Sequence, residues 1–524
     1  MFKNHPRGLI VLFMTEIWER FGFYTVLSIF VLYLNENFHW NEATIGNVYG
    51  LFIATTFFLP LIGGWIADRF LGYSRTIIIG LFTMATGYAL LATPTNKAWL
   101  LFLSLAVIAS GTGLYKANIY VLVGNLYTES NAALKDAAFS IFYMGINIGA
   151  FLGPIAASSI KNFMLTHYHV TLARAYNAGF GAASVGMLLA ITIFLSFRKY
   201  HRMADYRVRK ELKNKEGNKA ITQEMDLKYS KPEDPPLNLS AETYHNKEEK
   251  DRLISLLIIF LSVIFFWMGY YQNGYTLTLF AKDYTSAYVG RFTYLFFNPV
   301  SLLSILALLL ALSSTLRKSS SKKSRITGFA VILLALIVMT VKLISFNDVN
   351  QISPESFQVF NPLFIIFLTP ILVSLFSYLR KRGMEPSSPA KMAAGMNLEA
   401  LSFVIMIAAA TSLPPFGRNN SMHFGGVSPY WLISSYFVIT LAELFLSPIG
   451  LSFVSKVAPA RMKGAMMGAW FAAQATGSYL SGFVGRFYGE WQQWQFFLLL
   501  VFTSLLSGGV VIAYLKRLKS VSGG

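Results

Sequence analysis

Apolar residues in this chain come in long unbroken runs, and fourteen of them are long enough to cross a hydrocarbon core of ~30 Å. They fall near 8–34, 42–66, 74–93, 98–124, 137–163, 174–197, 252–281, 293–315, 326–346, 358–379, 390–412, 429–455, 462–486 and 492–516. Six precede residue 198 and eight follow residue 251. The pattern predicts an all-α integral membrane protein in two bundles, 1–197 and 252–524, joined by a Lys- and Glu-rich cytoplasmic linker over 198–251. Two bundles of six joined by a long connection suggest a rocking transporter with its site where the bundles meet. The runs within about 293–346 are then an added transmembrane hairpin, for which peripheral packing is the plain reading. Lys342, near the hairpin's outer end, can snorkel.

Charge fixes the expected orientation. With the N-terminus inside, the basic loops all face the cytoplasm: Arg69/Arg75, the linker, Arg317–Arg325, Arg380–Arg382, Arg461/Lys463 and Lys516–Lys519. An even number of spans then returns the C-terminus to the same side. Composition agrees, with 54% hydrophobic and 13% charged residues and a mean hydropathy of +0.50, which is a membrane protein's profile. The formal net charge of +19 could suggest nucleic acid. Because the Lys and Arg lie between apolar runs, the bilayer explains them and no nucleic-acid partner is expected. The chain has no cysteine, which excludes disulfides and thiolate metal sites. The first apolar run carries charges and lacks a small-residue cleavage site, so it does not read as a cleavable signal. No nucleophile–base or metal spacing appears, and no enzyme activity, metal or cofactor is expected.

Glu16, Glu19 and Arg20 interrupt the first run and project from one helix face, three and four residues apart. A charge at bilayer depth costs roughly 2.5–3.5 kcal/mol on insertion scales and persists where it pairs or meets water. Two carboxylates beside one guanidinium leave one acid able to take and release a proton. Lys116, mid-span in Gly113-Leu-Tyr-Lys116-Ala-Asn118, needs a carboxylate or water; Glu16 or Glu19 is its natural partner, and snorkelling is the bland alternative. Asn147 could hold a substrate amide or join two helices. Glu443, the lone acid of its span, would attract an ammonium or pair with a base of the second half. Glu399 either lies in the membrane or is solvated near the cytoplasmic end. Among the aromatics, Phe23, Tyr24, Tyr143, Trp267, Tyr270, Tyr271, Trp431 and Trp470 could line a pocket, with Gln272 and Asn273 as mid-span polar candidates. Asp68, Arg69 and Arg75, in Gly63-Gly-Trp-Ile-Ala-Asp68-Arg69-Phe-Leu-Gly72-Tyr-Ser-Arg75, resemble the loop signature of the major facilitator superfamily and could latch one conformation; the bland reading is a basic turn.

Together these residues resemble the proton-coupled oligopeptide transporter family. Glu16-Ile-Trp-Glu19-Arg20-Phe matches its ExxERF motif, Gly-Leu-Tyr-Lys116-Ala-Asn118 its fourth-helix lysine motif, and Phe142-Tyr143…Ile146-Asn147-Ile-Gly149 its FYxxINxG motif. Phe266-Trp267…Gln272, Phe360-Asn361-Pro362, Glu385-Pro-Ser-Ser-Pro389 and Glu443…Ser447-Pro448-Ile-Gly450 resemble later signatures. The resemblance implies a major facilitator fold and proton-driven symport of di- and tripeptides by alternating access across a bacterial inner membrane, by what is expected to be a monomer. It implies that Glu16, Glu19, Arg20 and Lys116 couple protons. It implies that Tyr24, Lys116, Asn147, Trp267, Tyr271, Gln272, Asn273, Glu443 and Trp470 surround the peptide, and that Asp68, Arg69 and Arg75 serve gating.

The chain also departs from that family. Many members have a basic residue seven places after the motif arginine, paired with a glutamate before the helix-seven glutamine; here these are Leu27 and Tyr271. Losing both is coherent, since losing one would strand a buried charge. The peptide carboxylate and the periplasmic gate are left without their usual residues, with Lys116 available for the former. The first tyrosine of the usual pair is Phe23. The hairpin follows helix seven instead of separating the bundles. An alternative within transport is another small substrate, such as a modified peptide, amino acid, nitrate or drug-like molecule; a non-transporting receptor is disfavoured by the intramembrane charges.

Overall fold

The computed structural model describes residues 5–127, 134–205, 242–315, 322–413, 426–459 and 462–522. The first bundle comprises α1 (Arg7–Phe38), α2 (Glu42–Ile66), α3 (Tyr73–Leu91), α4 (Ala98–Gly124), α5 (Lys135–His167) and α6 (Leu172–Ser196). The second contains α7 (Glu242–Tyr270) continued by the short α8 (Thr276–Asp283). The hairpin α9 (Pro299–Thr315) and α10 (Lys322–Ser345) follows, then α11 (Phe360–Lys381), α12 (Ser388–Ala410), α13 (Pro429–Val457), α14 (Lys463–Gly485), α15 (Gln493–Ala513) and a terminal α16 (Leu515–Ser522). Among the described residues, twelve spans are long and apolar enough to cross a membrane. The 17-residue α9 and the less apolar α14 complete fourteen. Most of the linker (206–241), part of the hairpin turn (316–321) and Arg461 lie outside the described residues.

Within the first bundle α1 lies against α5 and α6, and α4 against α2 and α3; in the second, α12 packs on α13 and α15, and α7 on α14. The bundles meet where α2 runs beside α14, and where α5 meets α11 and the 3-10 stretch Pro354–Val359 before it. Small residues let α2 and α14 approach closely. A Cβ on Gly50 would sit 3.1 Å from the Cα of Gly482, so this seam tolerates glycine and little else.

Two expected spans are not single helices. The run near 252–281 breaks after Tyr270 into a 3-10 turn, Tyr271–Gly274, before α8 resumes. Gln272 anchors the break: its Nε2 donates to the Ser481 carbonyl at 2.9 Å and its Oε1 accepts from the Thr276 hydroxyl at 2.9 Å. The run near 293–315 starts as a helix only at Pro299. Asn298 Oδ1 accepts from the Val300 and Ser301 amides at 3.1 and 3.3 Å, an N-terminal cap. Before it lie one helical turn, Arg291–Tyr294, and the strand Tyr288–Val289, paired antiparallel with Asn350–Gln351. The hairpin is peripheral. Of α10 only Gly328 and Ala335 are buried, while its two helices pack on each other and α9 touches α11.

Candidate functional site

The three charges of α1 form a closed cluster inside the first bundle. Arg20 straddles Glu19, its Nη2 donating to Oε1 at 2.7 Å and its Nε bonding Oε2. Such a two-point guanidinium–carboxylate pair is the strong form of the contact. Glu16 is held more loosely, with Oε1 3.3 Å from Arg20 Nε, and its Oε2 accepts from the Tyr115 hydroxyl of α4 at 2.7 Å. Both acids are buried. Of the two acids, Glu19 is therefore the one held at two points by Arg20, and Glu16 the one with the longer guanidinium contact. The glycine of the FYxxINxG motif makes room for this helix: a Cβ on Gly149 of α5 would lie 2.8 Å from Arg20 Cβ.

Lys116 departs from the expected pairing. Its Nζ lies 3.6 Å from the centroid of the Phe57 ring, and among the described residues no carboxylate is within ion-pair distance. Glu19 is already occupied by Arg20, so the ammonium rests on an aromatic face, a cation–π contact.

Between the bundles is a cavity of about 230 Å³. Its first-bundle wall carries Arg20, Tyr24, Lys116 and Asn147, and its second-bundle wall Trp267, Tyr271, Asn273, Glu443 and Trp470. Asn147 donates from Nδ2 to the Tyr143 carbonyl at 2.9 Å, a bond within α5 and not the helix-to-helix bond that was its alternative. The six-membered ring of Trp470 reaches Gly450, where a Cβ would strike the indole. Tyr271 accepts from Gln474 Nε2 at 3.0 Å. Leu27 also lines the cavity.

Glu443 is buried and faces this space. Its Oε2 accepts from the Tyr270 hydroxyl and from Asn361 Nδ2, both at 3.0 Å. Among the described residues no cation is within ion-pair distance, so the alternative of a structural base does not hold. The two walls thus oppose a guanidinium and an ammonium to one carboxylate whose partners among the described residues are neutral.

Several expected positions fall elsewhere. Gln272 does not line the cavity; its amide is spent on the helix break described above. Trp431 is 38% exposed on the outer surface of its helix and is not in the lining. Glu399 is neither solvated nor in the cavity. It is fully buried, with Oε2 accepting from the Ser504 hydroxyl at 3.0 Å and Oε1 without a hydrogen bond. Asp68, Arg69 and Arg75 lie exposed around the π-turn Ala67–Leu71, at the bundle end that carries the basic loops. There Tyr73 donates to Asp68 at 2.7 Å. Asn361, expected only as part of the Phe360-Asn361-Pro362 motif, is a direct partner of Glu443; an amide one residue before a proline in an apolar span is the signal for it.

A family model described as the POT family matches residues 74–341 and 332–495. An uncharacterized transporter, YclF, of Bacillus subtilis is 30% identical, covering 98% of this chain and 94% of its own. A di-/tripeptide transporter of Lactococcus lactis is 27% identical, covering 100% and 97%. A crystal structure of the peptide transporter POT in complex with sulfate superposes with a TM-score of 0.72 at 26% identity, over 100% of this chain and 97% of that one.

Proposed function

Because the chain belongs to the POT family of membrane transporters, we propose that it imports di- and tripeptides together with protons by alternating access. The observation that carries this reading is the opposed charge of the cavity walls: Arg20 and Lys116 on one side and, on the other, Glu443 with no cation beside it among the described residues. A peptide at neutral pH is a zwitterion and matches that arrangement end to end. Its ammonium goes to Glu443, where Tyr270 and Asn361 already orient the carboxylate. Its carboxylate goes to Lys116, whose ammonium leaves the Phe57 ring to meet it. Asn147 and Asn273 offer amides to the peptide backbone, and Tyr24, Trp267, Tyr271 and Trp470 bound the space around its side chains. Recognition by the ends tolerates varied side chains.

Proton coupling resides in the α1 cluster. Glu16 takes the proton while the cavity faces outward. Its neutralisation leaves Arg20 wholly to Glu19, and release to the inside restores the three-way contact. Asp68, Arg69 and Arg75 latch the end with the basic loops. The protein acts as a monomer in the bacterial inner membrane, with both termini and the 198–251 linker in the cytoplasm, and requires no cofactor beyond the proton gradient.

The test is uptake of labelled alanyl-alanine into proteoliposomes with and without an inward proton gradient. Stimulation by the gradient is the expected result. No uptake by a well-folded preparation would overturn it and favour the second reading, a different small substrate, to which the uncharged Leu27 and Tyr271 in the lining point.

A further inference from the structure

The usual charged pair on the cavity axis is absent, yet the bundles are tied by ions elsewhere. Lys161, near the outer end of α5, places Nζ 2.6 Å from Oε1 of Glu355 in the 3-10 stretch ahead of α11. The partners come from opposite bundles and both are buried. The approach is a charge contact and not a directed hydrogen bond, since neither Glu355 oxygen has a hydrogen-bonding partner. On either side the same two elements touch through neutral polar groups. Ser158 and Ser356 hydroxyls are 3.2 Å apart, and Asn162 Nδ2 donates to Ser353 at 3.0 Å. The seam continues across the outer face. Lys161 Nζ is 5.4 Å from the Tyr176 ring centroid. Tyr176 donates to Glu36 at 2.6 Å, and Glu36 lies 3.3 Å from Lys282 of α8, which also bonds Asn35 of α1 at 2.5 Å.

We propose that the Lys161–Glu355 pair is the outer gate of the transport cycle, closed in this structure and broken when the cavity opens outward. The inference rests on the alternating-access reading above. The energetics suit a gate better than a permanent tie. A buried ion pair recovers by attraction about what its ions lose by leaving water, so its net contribution is small. Separating it into an open, hydrated cleft is therefore nearly balanced, whereas separating an apolar seam of the same area is not. The serine and asparagine contacts follow the same logic, exchanging one another for water. The pair also accounts for Leu27 and Tyr271: a seam closed at the rim by its own ions does not need a second pair on the axis.

The chain has no cysteine, so cysteines introduced at exposed Thr171 and Ser412, outside the seam on opposite bundles, carry spin labels at unique sites. Distances between them report the outer opening. Lys161→Glu and Glu355→Lys, each alone, are expected to lengthen that distance and to lower alanyl-alanine uptake by at least about tenfold, since each leaves like charges facing in a buried site. The double exchange is expected to bring both readouts back to within about threefold of the parent. Should a single reversal fail to fold, Glu355→Gln reads the same distance with the shape kept and the attraction removed. An unchanged distance in the singles or in Glu355→Gln would overturn the proposal, as would a double exchange no better than the singles in both readouts. Failure of the parent to take up peptide would instead count against the transport reading, while the distance shifts still report on the gate.

Discussion

The α1 cluster and the Glu443 site are both buried acids in one cavity's surroundings, and they are built in opposite ways. Glu16 and Glu19 share a guanidinium on their own helix, and Glu16 alone accepts from a phenol of α4. One of the two acid charges there is balanced locally by Arg20, and the cluster turns only Arg20 toward the cavity. Glu443 has a phenol and an amide for company, no cation among the described residues, and open space before it. Leaving a carboxylate without a counter-charge at bilayer depth is costly. The cost is tolerable where a mobile cation visits. The first arrangement suits a proton that comes and goes, taking the cluster from one net negative charge to none; the second suits a ligand that brings its own positive charge.

The comparison breaks most completely at Glu16. Glu16→Gln is expected to abolish gradient-driven accumulation of alanyl-alanine while leaving proton-independent exchange of internal for external peptide. Glu19→Gln, which disrupts the fork that holds Arg20, is expected to lose both. Uptake and counterflow in proteoliposomes separate the two outcomes, and full driven uptake by Glu16→Gln would sink the assignment. Next is Glu443→Gln, which removes a charge-assisted contact of about 3 kcal/mol and so weakens peptide binding roughly 100-fold. N-acetylated peptide should lose little, because it has no ammonium to lose; isothermal titration of both ligands checks this. Lys116→Met keeps the aliphatic stem on Phe57 and removes the charge, with an expected drop of roughly 10-fold in affinity for free-carboxylate peptides. Tyr115→Phe is milder: one hydrogen bond to Glu16 is lost, about 1 kcal/mol or a several-fold change, visible as an altered pH dependence of driven uptake with peptide affinity unchanged.

The smallest effect lies outside the membrane, and serves as a contrast with both acids. Glu385 is held down to about 2 by hydrogen bonds from Arg380 and then Lys391. A lowered carboxylate stabilises the folded state above its unfolded value of about 4.3 and loses that contribution as pH falls toward 2. Glu385→Gln should cost no more than about 1 kcal/mol at pH 7, because Arg380 is largely exposed and solvent screens its pair with Glu385. Melting in detergent at pH 7 and pH 3 should show the difference between parent and variant shrinking at the lower value.

Much of this was legible in the chain. Helix spans follow from bilayer thickness, which imposes one length on every apolar run, and α1 to α6 match their runs closely. The cavity residues follow from charges and amides that apolar surroundings do not otherwise tolerate. What could not be read depended on partners distant in sequence. Glu16 and Glu19 look alike until Tyr115 and the direction of Arg20 distinguish them. Lys116 next to two acids invites a pairing that Arg20 pre-empts. Gln272 looks like a pocket residue until its bonds to Ser481 and Thr276 show it spent on a break in its own helix. Lys161 near a span end passes for snorkelling, and Glu355 for a loop acid, because only tertiary packing brings them together.

The hairpin has a consequence for how this sequence can drift. Side chains on α10 meet lipid on nearly every side, so selection there acts on hydropathy and length and hardly at all on shape. Its apolar residues should be freely exchangeable between relatives, Leu for Val or Ile for Phe, at a rate that the helices around the cavity could not survive. One position stands apart. A Cβ on Gly328 would run into the Thr315 side chain, so a small residue should persist there as the single fixed point of a segment otherwise free to vary.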